Sequence, residues 1–258
     1  MYREHEPLDR FEAARIDGFQ WVELCYLDDL DISEVRRALR NAGQTLLSFN
    51  FPPGEVIPDK KRGVSALPGH ESEFSALVAQ GLEWARELGA KQALGPLYGL
   101  KPEDASIADC EDVLIANLKS VADELEAAEF TLLLEPHCSK DFPGYIIDHL
   151  SQARRVIDKI DSSVFKILFD TYHVQRMEGD LANNFKMHQD VIAHVQVGNP
   201  SGRHEPDEGE VDHQFFFQAL DQAGYDGWVV GEYLPKGKTT NGLGWIDRWE
   251  ISKGPISV

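Results

Sequence analysis

The stretch EFTLLLEPHCSKDFPGYIIDHLSQARRVIDKIDSSVFKILFD, residues 129–170, contains one whole repeat of the fold. Its two ends, EFTLLLE (129–135) and FKILFD (165–170), are short apolar runs, each closed by a carboxylate. Runs of this length and apolarity read as buried parallel strands. Between them Leu150, Ala153, Ile157 and Ile160 recur with the 3.6-residue period of a helix that buries one face. Strand–helix–strand alternation builds a parallel sheet covered by helices.

The same phrase repeats in both directions. Further apolar runs are FQWVEL (19–24), TLLSFNF (45–51), AKQALGP (90–96), VIAHVQV (191–197) and WVVGEY (228–233), of which AKQALGP is the weakest by composition. Helical stripes run through Phe74, Val78, Leu82 and Ala85, and through Leu114, Leu118, Val121 and Leu125. Gly18, Gly43, Gly89 and Gly224 each stand a few residues before a strand, where a helix-ending glycine belongs. No GxGxxG follows the first strand and no GxxxxGK[ST] occurs, which weighs against an open nucleotide-binding sheet and a nucleotide cofactor. The α/β pattern and the 258 residues fit a TIM-type (β/α)8 barrel as a single domain over 1–258.

Only seven strands can be counted, because the chain runs at once into a helix marked by Leu8, Phe11 and Ala14. The barrel is therefore expected to lack its first strand, leaving FQWVEL and WVVGEY on either side of a gap. Three closures are open: sideways collapse, the tail ISKGPISV filling the slot, or a second copy of the chain in a homo-oligomer.

Acids outnumber bases 44 to 25, for a net charge of −19. Such a surface repels phosphate backbones and anionic lipid, so nucleic acid and membrane are poor partners. No run approaches a membrane span, no apolar signal core opens the chain, and Cys25, Cys110 and Cys138 form no zinc or disulfide pattern. A cytoplasmic location follows as the expectation.

In βα barrels chemistry sits where the strands end. Four consecutive strands end in oxygen donors: LLLE in Glu135, ILFD in Asp170, HVQ in Gln196 and VVGE in Glu232. A ring of carboxylate and amide oxygens suits a hard divalent cation, Mg or Mn. Any one of these acids alone would read as a helix cap or a solvated loop residue. Nearby, His173 follows Asp170 in FDTYH, and the loop VGNPSGRHEPDEGE carries Arg203, His204 and Glu205 as candidate contacts to a small-molecule substrate. An arginine at Arg203 can grip a carboxylate with two hydrogen bonds. Lys236 in EYLPKG, Asn50, His137 and Cys138 are weaker candidates at the same mouth, and His194 shares the interior face of Gln196. Trp21, Trp84 and Trp228 read as packing, and His70, His149, His188 and His213 as helix residues without a site role.

These motifs together resemble the hydroxypyruvate isomerase family, within the xylose-isomerase-like sugar isomerase/epimerase barrels. The resemblance spans nearly the whole chain and is strongest in LLLEPH, FDTYHVQRMEGDL, IAHVQVGNPSGRHEPDEGEV, GEYLPKG and GLGWIDRW. It implies catalytic glutamates at Glu135 and Glu232, and a divalent metal on Glu135, Asp170, Gln196 and Glu232. It implies conversion of hydroxypyruvate to tartronate semialdehyde through an enediolate, with 2-oxo-tetronate isomerisation or ketose 3-epimerisation as alternatives. No redox cofactor is needed for an internally balanced reaction. Two rivals are a metal-dependent endonuclease on the same barrel, disfavoured by the charge, and a non-catalytic barrel that binds a small carbohydrate acid. Two departures from the family pattern are expected to matter: the chain starts after the family's usual first strand, which bears on barrel closure, and AKQALGPLYGL lacks the histidine and the alanine–glycine pair usual there; both bear on the substrate pocket.

Overall fold

The computed structural model describes residues 1–25, 27, 30–54 and 63–251. In chain order these residues form α1 (Asp9–Ile16), β1 (Trp21–Leu24), α2 (Ile32–Ala42), β2 (Thr45–Phe49), α3 (Glu71–Leu88), β3 (Gln92–Leu94), α4 (Ile107–Ala127) and β4 (Thr131–Leu134). There follow α5 (Leu150–Ile160), β5 (Phe165–Asp170), α6 (Thr171–Met177), α7 (Leu181–His188), β6 (Ile192–Val197), α8 (His213–Gln222), β7 (Trp228–Gly231) and α9 (Gly244–Arg248). Each apolar run of the sequence becomes a strand, and the weak one, β3, is only three residues long.

Local chemistry sets the helix ends. Asp31 accepts from the backbone N–H of Ser33 and Glu34 at the start of α2, and Ser106 with Asp109 forms a reciprocal cap on α4. Gly43 and Gly89 take the left-handed conformation just past α2 and α3, which the missing Cβ makes easy.

All strand pairs are parallel: β1 with β2, and β3 through β7 in sequence order. The two sheets join where Phe51 N donates to Leu94 O at 2.7 Å beside a bridge between Asn50 and Leu94. The result is a curled parallel sheet of TIM-barrel type. Alternate residues face opposite sides of each strand. Leu132, Leu134, Ile167, Phe169, Val195 and Val197 pack under the helices, whereas Leu94, Leu133 and Leu168 gather with Leu97 in a separate interior cluster.

The gap expected between the first and last strands is a seam. Among the described residues no ladder bond joins β1 to β7. Instead the rings of Trp21 and Trp228 meet with centroids 4.8 Å apart. Tyr2 N donates to Thr239 Oγ1 at 2.7 Å, and Met1 and Phe19 pack with Tyr233, Trp245 and Ile246. Ile251 joins this cluster; the rest of the tail, 252–258, lies outside the described residues. Among the described residues no helix is long and apolar enough to cross a membrane.

Candidate active site

The period of two that puts Leu133 and Leu168 inside the barrel also puts Glu135 and Asp170 inside, one step nearer the mouth. Asp170 and Gln196 stand opposite each other in the register of β5 and β6, and Gln196 stands opposite Val230, two residues before Glu232. One carboxylate oxygen each from Glu135, Asp170 and Glu232 lies within 4.8 Å of the others. Glu135 and Asp170 are buried, and Glu232 is partly open to the mouth.

Three carboxylates this close are difficult to ionise together. Burial, then the charges of Glu232 and Asp170, push Glu135 well above the usual carboxylate range. Burial raises Asp170 to about 7 in spite of Arg203 beside it. Burial also raises Glu232 against the pull of the same arginine. Arg203 Nη2 donates to Asp170 Oδ2 at 2.7 Å and to Glu232 Oε2 at closer range. Its loop is rigid: the Asn199 side chain bonds Pro206 O, Val211 O and Val211 N, and an antiparallel bridge pairs Asn199 with His204. Arg203 sits at the turn with φ +55°, stacked over the Tyr172 ring at 4.9 Å.

The tautomers of two histidines follow from their partners. Cys138 N donates to His173 Nδ1 at 3.0 Å, so the proton of His173 is on Nε2. That N–H stands 3.5 Å from both Glu135 Oε1 and Asp170 Oδ2. Burial, then His137, lowers His173 well below its ordinary value and keeps it a neutral donor. His137 Nδ1 donates to Glu135 O at 3.1 Å, leaving Nε2 as an acceptor 3.4 Å from Glu135 Oε2. Burial lowers His137 to about 4, so a proton shared between the two belongs to Glu135.

Gln196 Nε2 donates to Glu23 Oε1 at 2.5 Å, and its Oε1 is buried with no hydrogen-bond partner among the described residues. Glu135 Oε1 is likewise buried without a hydrogen bond. These two bare oxygens, with Asp170 and Glu232, make a donor set that fits a hard divalent cation. The alternative set Glu135, His137 and His173 is equally compact, but the Nε2–H of His173 turns a proton, not a lone pair, toward it.

The other sequence candidates fall elsewhere. His204 Nδ1 donates to Leu234 O at 2.7 Å, and buried Glu205 accepts from Lys236 N at 3.1 Å. Both fasten the loop to the segment after β7 rather than entering the carboxylate cluster. Lys236 Nζ pairs with Glu208 at the surface. His213, the first residue of α8, is buried against Thr171 Oγ1 and Pro206 O.

Three residues join the site that strand-end reasoning did not select. Glu23, on β1 with its side chain largely buried, accepts from Ser48 Oγ and Gln196 and lies 2.8 Å from His194 Nε2. Burial opposes its charge, yet His194, Ser48 and Gln196 together hold it below the usual glutamate range. A charge inside the apolar run FQWVEL was its signal. Cys25 donates its thiol to Glu232 Oε1 at 3.6 Å. Tyr98 is buried beside Glu135, and its hydroxyl has no hydrogen-bond partner among the described residues.

The sequence profile of the xylose isomerase-like TIM barrel matches residues 11–249. A 2-oxo-tetronate isomerase of Cupriavidus necator is 37% identical over 95% of this chain and 94% of its own. The hydroxypyruvate isomerase of Escherichia coli is 35% identical over 96% of this chain and 95% of its own. A crystal structure described as AP endonuclease, family 2, from Brucella melitensis superposes with a TM-score of 0.91 at 34% identity, covering 96% of this chain and 95% of that one.

Proposed function

We propose a function from one premise: the chain belongs to the xylose isomerase-like TIM barrel family and is an isomerase. Its substrate is a small 2-oxo acid of the hydroxypyruvate or 2-oxo-tetronate type, and it interconverts the carbonyl and hydroxyl carbons through an enediolate. The observation that carries this reading is the meeting of Glu135, Asp170 and Glu232 within 4.8 Å at the strand ends. Glu135 and Glu232 reach the cluster from different strands and so flank whatever lies between them. One takes the carbon-bound proton and the other returns a proton at the neighbouring carbon, each step worth about 10²–10⁴-fold.

Burial that raises both glutamates brings their proton affinity closer to that of a weakly acidic C–H. Arg203 and the Nε2–H of His173 are cationic and neutral donors beside the cluster, and they steady negative charge as it moves onto the substrate oxygens. Glu135, Asp170, Gln196 and Glu232 are the residues that would hold a divalent cation. When bound, Mg²⁺ or Mn²⁺ supplies Lewis-acid polarisation of the substrate oxygens.

Net charge −19 argues against the nuclease reading that the Brucella protein's description raises, since a polyanionic substrate would be repelled. The test is turnover of hydroxypyruvate and of 2-oxo-tetronates after chelation, with and without added Mg²⁺ or Mn²⁺. The expected result is conversion that depends on the cation. Failure with every such 2-oxo acid in the presence of both metals would refute the reading.

A further inference from the structure

A line of polar side chains crosses the otherwise apolar barrel interior from bottom to mouth. Gln92, the first residue of β3, donates from Nε2 to His194 Nδ1 at 2.8 Å. That contact leaves the His194 proton on Nε2, a nitrogen 2.8 Å from Glu23 Oε2 that makes no hydrogen bond among the described residues. Ser48 Oγ donates to the same Oε2. Gln196 Nε2 donates to the other oxygen, Oε1, at 2.5 Å. The donors of Ser48 and Gln196 therefore point at Glu23, one on each oxygen, and as a carboxylate Glu23 accepts and offers no hydrogen. The amide of Gln196 has no choice of direction. Its NH₂ must face Glu23, and its Oε1 is the end left bare in the interior.

We propose that Glu23 is a positioning residue that fixes which end of the Gln196 amide is presented to the carboxylate cluster. This rests on the reading of Glu135, Asp170, Gln196 and Glu232 as a cation site. A carboxamide ligates a hard cation through oxygen, and its NH₂ turned inward would oppose one. The partition of donors over the two oxygens of Glu23 predicts the effect of replacing it. In Glu23→Gln, the carbonyl stays where Ser48 donates, so the new NH₂ takes the Oε1 position. Two NH₂ groups then face each other, and Gln196 relieves the conflict by rotating its own NH₂ toward the cluster. In the exchanged pair E23Q/Q196E, the amide now on β1 donates its NH₂ to one oxygen of the carboxylate now on β6, whose second oxygen faces the cluster. Charge and hydrogen-bond count are both preserved.

Mn²⁺ affinity, read by electron paramagnetic resonance on the full chain, tests this without reference to turnover. The unaltered protein is expected to bind the ion, and Glu23→Gln to bind it about 10–100-fold more weakly, as for other partners that orient metal ligands. E23Q/Q196E is expected to return to the wild-type range. A merely structural role for Glu23 would not be rescued by that exchange. Because the exchanged pair keeps every bond, it carries the test alone if Glu23→Gln does not fold. Wild-type affinity in Glu23→Gln, or no recovery in E23Q/Q196E, overturns the proposal while the cation site stands. Absence of Mn²⁺ binding by the unaltered protein overturns the cation site itself and the proposal with it.

Discussion

Replacing Arg203 by alanine separates the electrostatics of the site from its packing. Its guanidinium touches Asp170 at 2.7 Å and Glu232 at closer range, with the side chain only 23% exposed. At an effective dielectric near 20, two unit charges about 4 Å apart attract by about 4 kcal/mol. Two such contacts are partly offset by the cost of drying the guanidinium. Removing one partner of a buried pair commonly costs about 3–5 kcal/mol, and that is the expectation for Arg203→Ala at pH 8 with a chelator present.

The loss must shrink at pH 5. Asp170 ionises at about 7 in the folded chain, and Glu135 lies well above its ordinary value, so both are largely neutral there. Their folded values are raised, so between the unfolded and folded values the folded state holds more protons. Stability therefore falls as pH rises through that window, and falls further without the arginine. Urea unfolding at 25 °C, run at pH 5 and pH 8 with and without Mg²⁺, measures this. A penalty of equal size at both pH values would refute the electrostatic account.

Glu135→Gln and Glu232→Gln should each lower kcat by about 10²–10⁴-fold, with circular dichroism unchanged. Near-normal kcat in either would show that the proton is carried by another group. Tyr98→Phe should leave the urea midpoint essentially where it is, because among the described residues the buried hydroxyl meets no hydrogen-bond criterion, while KM for the 2-oxo acid rises. An unchanged KM would show that the hydroxyl does not meet substrate.

The strands were legible because a parallel strand buried on both faces is nearly all apolar, and none of the seven runs read from the sequence is missing from the fold. Glu135, Asp170, Gln196 and Glu232 were legible because a polar residue ending such a run breaks its pattern where barrels keep their chemistry. His204 and Glu205 share the charged loop with Arg203, and composition cannot tell which side chain turns inward. That choice is made by the Asn199 bonds and by Leu234 and Lys236, tens of residues away. Glu23 was passed over for a related reason. Its partners Ser48, His194 and Gln196 come from two other strands, and only closure of the curled sheet brings them together.

The contact between Trp21 and Trp228 has a consequence for how the molecule comes apart. A fully bonded ring offers no free end from which to unravel, whereas here, among the described residues, β1 and β7 each offer one. Local opening starts where backbone bonds are fewest, so amide hydrogens of these two strands should exchange with solvent before those of β4 and β5. The indole pair lies across that starting point. Its fluorescence registers the parting of the two strands ahead of any loss of helical signal, and so gives the protein a built-in optical gauge of its earliest unfolding step.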